Sequence, residues 1–255
     1  MTSDELDRAL RQLRLSGMAE TLTVRSQQAR ADTLGPLDFL GLLVHDELQR
    51  RRDRLIERRI KEAAFRDRRT LDTFNWSFNT GFDRALIFEL ATGRFIEQHE
   101  DVLLLGNAGV GKSHLAQAIA MSAIHAGFRV LYREAHHLFE ELVLASALDG
   151  RSGLIASLTD VPLLILDDIG MRRLPATAAE DLLEIIMRRY ERASTIVTSN
   201  RPLEDWPQIF GDTPAVAAFL DRLMHHSHLI EIRGKSYRLH ESSQGAQKRK
   251  GRATT

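Results

Sequence analysis

The stretch from Val102 to Leu115, VLLLGNAGVGKSHL, restricts this chain more than any other. Four apolar residues, Val102 to Leu105, run into a glycine-rich turn of the form G-x-x-x-x-G-K-[ST]. Leu115, Ala116, Ile119 and Ala120 then leave it at helical spacing. A buried strand before such a turn and a helix after it let successive backbone N–H groups curl into one concavity, backed by the positive end of the helix dipole. That nest suits the oxygens of a di- or triphosphate. The expected binding segment is Gly106, Asn107, Ala108, Gly109, Val110, Gly111, Lys112, Ser113 and His114. Lys112 would reach the β- and γ-phosphates and the Ser113 hydroxyl would ligate Mg²⁺. A glycine turn with a chance lysine would not require strand, spacing and helix all to agree.

From residue 102 onward, strands alternate with helices. Strands are expected at Val102–Leu105, Arg129–Arg133, Leu163–Asp167, Ser194–Thr198 and Leu229–Arg233, and helices near 112–126, 135–147, 151–158, 176–192 and 214–226. That alternation predicts an α/β fold with a five-stranded parallel sheet, helices on both faces and ligands at the carboxyl ends of the strands. LLILDDIG (Leu163 to Gly170) ends a buried strand in two carboxylates. If that strand lies beside the phosphate loop, Asp167 can hold Mg²⁺ and Asp168 can orient or deprotonate the attacking water. STIVTSN (Ser194 to Asn200) brings Thr198, Ser199 and Asn200 to the same edge, where the Asn200 amide can sense the γ-phosphate or the attacking water. Phosphoryl transfer also needs positive charge, often from a neighbouring molecule. Arg222 in AFLDRLMHH is the first candidate, with Arg233 and Arg238 (IRGKSYR) as alternatives in the same subunit or across an interface.

Before the sheet the chain is helical. Leu6, Leu10, Leu13, Leu15, Met18, Leu22 and Val24 suggest two helices broken at Ser16-Gly17, and a longer helix is expected from Leu37 to about Ala64. Between Arg50 and Arg69 there are ten Lys/Arg against four acids. An excess of that size favours a surface that meets a polyanion over a merely solvated helix face. Phe74, Trp76, Phe78 and Phe82 read as a seam joining the helical part to the core, with a platform near the base as the alternative. A single helix is expected over 83–97.

The 35 basic and 35 acidic residues cancel, so only their distribution informs on partners. The absence of cysteine excludes disulfides, thiol catalysis and Cys-based zinc sites, and the cytosol is the expected compartment. No apolar run approaches a membrane span. Histidines 136–137, 225–226 and 228 read as ordinary surface or interface residues, because adjacent helical side chains diverge by about 100° and do not easily share an ion.

With these motifs in place, the chain resembles the IstB-like ATPases, helper proteins of bacterial insertion sequences and relatives of the DnaC-type helicase loaders. GNAGVGKSHLAQAIA is generic to ATPases. FLGLLVHDELQRR and RTLDTFNW extend the likeness, and the combination of TSNRPLEDW with DRLMHH and GKSYR is its more specific part. The resemblance implies a P-loop NTPase of the AAA+ type, with a helical N-terminal domain over 1–70 and an ATPase domain over 71–241; the polar, basic composition of 242–255, SSQGAQKRKGRATT, predicts a disordered tail. Only about 22 residues follow the last expected strand before position 255, too few for a helical lid domain. The resemblance further implies ATP and Mg²⁺ as cofactors, double-stranded DNA and an IstA-like transposase as partners, and an ATP-dependent ring or helical oligomer. It implies that residues 135–160 face the DNA. Asp167-Asp168 stands where many AAA+ proteins carry Asp-Glu; the shorter second acid implies looser water positioning and slow turnover. A helicase loader of DnaC type is the alternative, and a small-molecule kinase would need an acceptor pocket with a closing lid.

Overall fold

The computed structural model describes residues 2–170, 177–210 and 214–243. The chain divides into two compact units, Met1–Arg59 and Ile60–Thr255. The division falls inside the long helix, about ten residues before the boundary expected near 70.

In the first unit, α1 (Ser3–Gln12), α2 (Ser16–Ala31) and the start of α3 (Pro36–Ala63) surround a small core. Met18, Leu22 and Leu43 are its centre, flanked by Leu6, Leu10, Leu15 and Phe39. The break between α1 and α2 lies at 13–15, and Ser16-Gly17 begins α2 instead of interrupting it. The reason is a close approach: a Cβ on Gly17 would lie 2.7 Å from the Cα of Glu47. Leu15 gives α2 no side-chain cap. Glu47 supplies one from α3, accepting from the amides of Gly17 (2.6 Å) and Met18 (3.3 Å). Arg51 holds the other Glu47 oxygen at 2.7 Å. Burial opposes the Glu47 charge, but Arg51 and the two amides win and draw its carboxyl below the usual range.

The second unit opens with α4 (Arg84–Leu90) and α5 (Arg94–Glu97), two helices in place of the single one expected, separated at Thr92-Gly93. The five strands follow within two residues of their expected limits: β1 (Asp101–Gly106), β2 (Val130–Glu134), β3 (Leu163–Ile169), β4 (Ser194–Ser199) and β5 (Ser227–Ile232). The helices between them are α6 (Lys112–His125), α7 (Ala135–Ala147), α8 (Arg151–Thr159), α9 (Ala178–Arg189), α10 (Trp206–Phe210) and α11 (Pro214–His225). All pairings are parallel, in the order β2-β3-β4-β1-β5. β4 thus separates β3 from β1, so the Asp167 strand is not the immediate neighbour of the phosphate-loop strand.

The three inner strands are buried along most of their length; β1 and β3 are largely apolar, whereas β4 (STIVTS) has only Ile196 and Val197 apolar and buries its Ser and Thr side chains as well. Leu103, Leu105, Leu164, Leu166 and Val197 meet α7 to α11 in one core. The alternate residues Val102, Leu104, Ile165 and Ile196 are buried on the other face, where α6 packs across the sheet. The edge strand β5 alternates instead, with Leu229 48% exposed between His228 and the buried Ile230. Arg189 is buried among the carbonyls of Leu158, Val161 and Ser194, which tie α9 to α8 and β4. Residues 237–243 are helical, so Ser242 and Ser243 continue a helix where a disordered tail was expected, and the rest of that tail lies outside the described residues. No helix among the described residues is long and apolar enough to cross a membrane.

Candidate nucleotide site

The phosphate loop joins β1 to α6. Gly111 caps α6 with φ +113°, in the left-handed region, and a Cβ there would lie 2.7 Å from the Phe74 ring. Glycine therefore lets the loop curl and lets the 71–82 segment close against it. Lys112, the first residue of α6, is buried and turns its ammonium back onto the loop, donating to the carbonyls of Gly106 (2.8 Å) and Asn107 (3.0 Å). Burial lowers its pKa, while the Asp168 and Asp167 charges hold it up.

A cavity of about 420 Å³ opens beside this loop. Ala108 to His114 line it, together with Asp167, Asp168, Asn200 and Arg238. The structure thus gathers the ends of β1, β3 and β4 in one place, as their polar termini suggested. Gly106 and Asn107 serve through the carbonyls that hold Lys112 and are not part of the lining.

The acidic pair is organised by Thr198, one of the polar residues expected at this edge, and by Tyr132, which the sequence did not mark. Tyr132 donates its hydroxyl to Asp167 Oδ2 at 2.6 Å, and Thr198 donates to Oδ1 at 2.5 Å. Thr198 Oγ1 also accepts from the Asp168 amide at 2.9 Å. Register between β3 and β4 shifts at this point, between Leu166 and Ile169, and Asp168 takes φ +59°. Such an irregularity re-aims a side chain out of the regular alternation. Burial, and then the Asp167 charge, push the Asp168 pKa above the usual carboxylate range, against Lys112 and Arg238. Asn200 lines the same cavity and its Oδ1 is buried with no hydrogen-bond partner among the described residues.

The three candidate arginines part company here. Arg238 lines the cavity from the 237–243 helix, which is tied down by a bond from the Tyr237 amide to Gly109 O at 2.9 Å. Arg222 is not part of the lining; one of its guanidinium N–H groups donates to Ala218 O on its own helix. Arg233 is exposed and paired with Glu231 at 2.7 Å.

The aromatic segment walls the cavity. Phe74 meets Trp76 and His114 edge-on, with ring centres 4.9 and 5.2 Å apart, and Phe78 meets Tyr237 at 5.1 Å. Asn79 bridges Val110 and Lys235 through their carbonyls. His114 Nε2 lies 3.0 Å from Thr70 O, which fastens the segment to α6, and burial lowers the His114 pKa. Arg66 and Arg69 also reach the lining, a role their membership of a general basic run did not reveal. His137, His225 and His226 are exposed, as expected of surface residues, but the rings of His136 and His137 are 3.9 Å apart and those of His225 and His226 are 4.1 Å apart, closer than the divergence of helical neighbours suggests.

The donor set suits a small hard cation. Two neighbouring carboxylates, one of them with its charge disfavoured by the other, and a serine hydroxyl on the first turn of α6 line one cavity. Oxygen donors of this kind match Mg²⁺ carried by a nucleotide.

A model of the IstB-like ATP binding protein family matches residues 8–245. The insertion sequence IS21 putative ATP-binding protein of Pseudomonas aeruginosa is 37% identical over 237 residues, covering 93% of this chain and 89% of that protein. The corresponding IS5376 protein of Geobacillus stearothermophilus is 35% identical over 238 residues, covering 93% and 95%. Among solved structures, DnaI superposes with a TM-score of 0.57 at 23% identity over 65% of this chain and 92% of that one. The DnaC helicase loader gives 0.54 at 24% identity, over 64% and 96%. These two likenesses concern the fold.

Proposed function

This chain belongs to the family of IstB-like ATP binding proteins and is an AAA+ ATPase of insertion-sequence type; from that premise we propose that it assembles with ATP on duplex DNA and presents the DNA to a partner transposase. The observation that carries the chemistry is the meeting of Lys112, Asp167, Asp168 and Asn200 in one cavity at the carboxyl edge of the sheet.

In this reading the amides of the 106–113 loop and the α6 dipole hold the phosphates, and Lys112 exchanges the Gly106 and Asn107 carbonyls for phosphate oxygens. Ser113 and Asp167 would hold Mg²⁺, which would supply positive charge against the phosphate oxygens. Tyr132 and Thr198 fix the Asp167 carboxylate so that it does not rotate away. Asp168 accepts the proton of the attacking water, and the unpaired Asn200 Oδ1 accepts a second hydrogen from that water. Arg238 contributes positive charge from the same subunit, and Arg222 contributes it to the site of a neighbour.

Duplex contact rests on Lys and Arg side chains meeting phosphates, which carries no sequence preference and weakens with salt. Arg52 and Arg54 of α3 are exposed, whereas Arg50 and Arg51 are engaged with Glu20 and Glu47. The first pair is therefore the better DNA candidate. The α7–α8 hairpin carries the DNA-facing role implied for residues 135–160.

Electron microscopy of the protein with linear duplex, with and without an ATP analogue, tests this reading. Rings or short helical arcs on the duplex only with nucleotide are expected. Binding to single strands alone would favour a helicase loader, and indifference to both nucleic acids would overturn the proposal.

A further inference from the structure

Glu191, His225 and His226 meet where two packed helices end. Glu191 lies two residues beyond α9, His225 is the last residue of α11, and the two helices pack together. One ligand atom from each of the three side chains falls within 4.8 Å of the others. His226 Nε2 is 3.7 Å from Glu191 Oε1. Ligand atoms about 2.0–2.2 Å from a tetrahedral ion stand roughly 3.4 Å from one another. The carboxylate and His226 are thus almost at ligating separation, and exposed side chains can close the remainder.

Two further features favour a cation. The Tyr190 hydroxyl lies 2.8 Å from His225 Nδ1. A partner on one ring nitrogen fixes the ring and leaves the other for a metal, as outer partners of ligating histidines do. The carbonyl ends of α9 and α11 also place negative partial charge at this spot. The similar group Glu134, His136 and His137 has neither advantage. It sits at the amino end of α7, where the dipole opposes a cation, and Glu134 is shared with Arg66 at 3.5 Å.

We propose that Glu191, His225 and His226 form a binding site for a divalent transition-metal ion with borderline ligand preference, such as Zn²⁺, separate from the nucleotide cavity. Two imidazoles and one carboxylate leave a position open for water or for a group from another molecule. Arg222 stands one helical turn before His225, so a bound ion would stiffen the end of the helix that carries it.

Calorimetric titration of the full chain with ZnCl2 in chelator-free, nucleotide-free buffer tests the proposal. About one ion per chain is expected, with affinity falling about tenfold or more in each of Glu191→Gln, His225→Gln and His226→Gln. Tyr190→Phe, which keeps the ring and removes the hydroxyl, should weaken binding by a smaller factor. Glu134→Gln should leave it unchanged, and circular dichroism of all variants should match the parent. No binding by the parent chain, or binding that survives His225→Gln with His226→Gln, or binding lost in Glu134→Gln, overturns the proposal.

Discussion

Asp168 sits in an uncommon backbone conformation beside a second carboxylate, and among the described residues Lys112 and Arg238 are the charges that favour its ionisation. A group so placed is suited to receive a proton. Asp168→Asn should therefore bind ATP and DNA normally while turnover falls about 10²-fold or more; unchanged hydrolysis beside unchanged nucleotide binding would remove it from the mechanism. The arginines separate by a different readout. Arg238→Ala should weaken ATP binding by isolated subunits, because Arg238 lines the cavity of its own chain. Arg222→Ala should leave that binding intact and lower turnover about 10³-fold only under assembling conditions, the scale of an arginine supplied in trans. Equal effects of both variants on the isolated subunit would refute the assignment. Lys112, Asp167, Asp168 and Asn200 were legible because each ends or follows a buried strand in a recognisable local pattern. Tyr132 was not: its role depends on β2 lying beside β3, and nothing local to VLYRE marks it as the partner of Asp167.

Between neighbouring elements, charge placement sets two further expectations. On α3, replacing Arg52 and Arg54 by Ala should reduce the salt dependence of DNA binding by about 0.9 in log–log slope for each phosphate that is no longer neutralised. A slope identical to the parent would return this face to ordinary solvation. In the sheet, Asp101 at the start of β1 accepts from the Thr195 amide of β4 at 2.6 Å and feels the buried Arg189. Burial dominates and pushes its pKa up to about 7. A carboxyl that holds its proton more tightly when folded favours the native state at low pH, so this contribution is present below about pH 4 and is lost as pH rises to about 7. Urea unfolding of Asp101→Asn across that range should show a flatter pH profile than the parent; an unchanged profile would mean that Arg189 keeps Asp101 ionised throughout. The single helix expected over 83–97 shows the limit of periodicity at this scale, because apolar spacing continues through Thr92-Gly93 although the chain turns there.

For the whole molecule, the proposed assembly depends on a nucleotide that touches the loop, the acidic strand end and Asn200 together. Lys112→Ala should abolish ATP-dependent assembly on duplex DNA in the same microscopy, while the far-ultraviolet spectrum stays that of a folded chain. Assembly that persists in ATP would break the link between the cavity and the oligomer. The sequence by itself determined the five strands and the longer helices between them, the phosphate loop and the chemistry of the strand ends, because strand alternation, helical spacing and a strand–turn–helix motif are properties of contiguous residues. Only the tertiary structure decided that β4 separates β3 from β1, that Phe74 closes on Gly111, that Tyr132 and Thr198 clamp Asp167, and that Arg238 rather than Arg222 reaches the cavity of its own subunit. Those pairings join residues tens of positions apart. They follow from which apolar faces bury one another, and local periodicity carries no information about that choice.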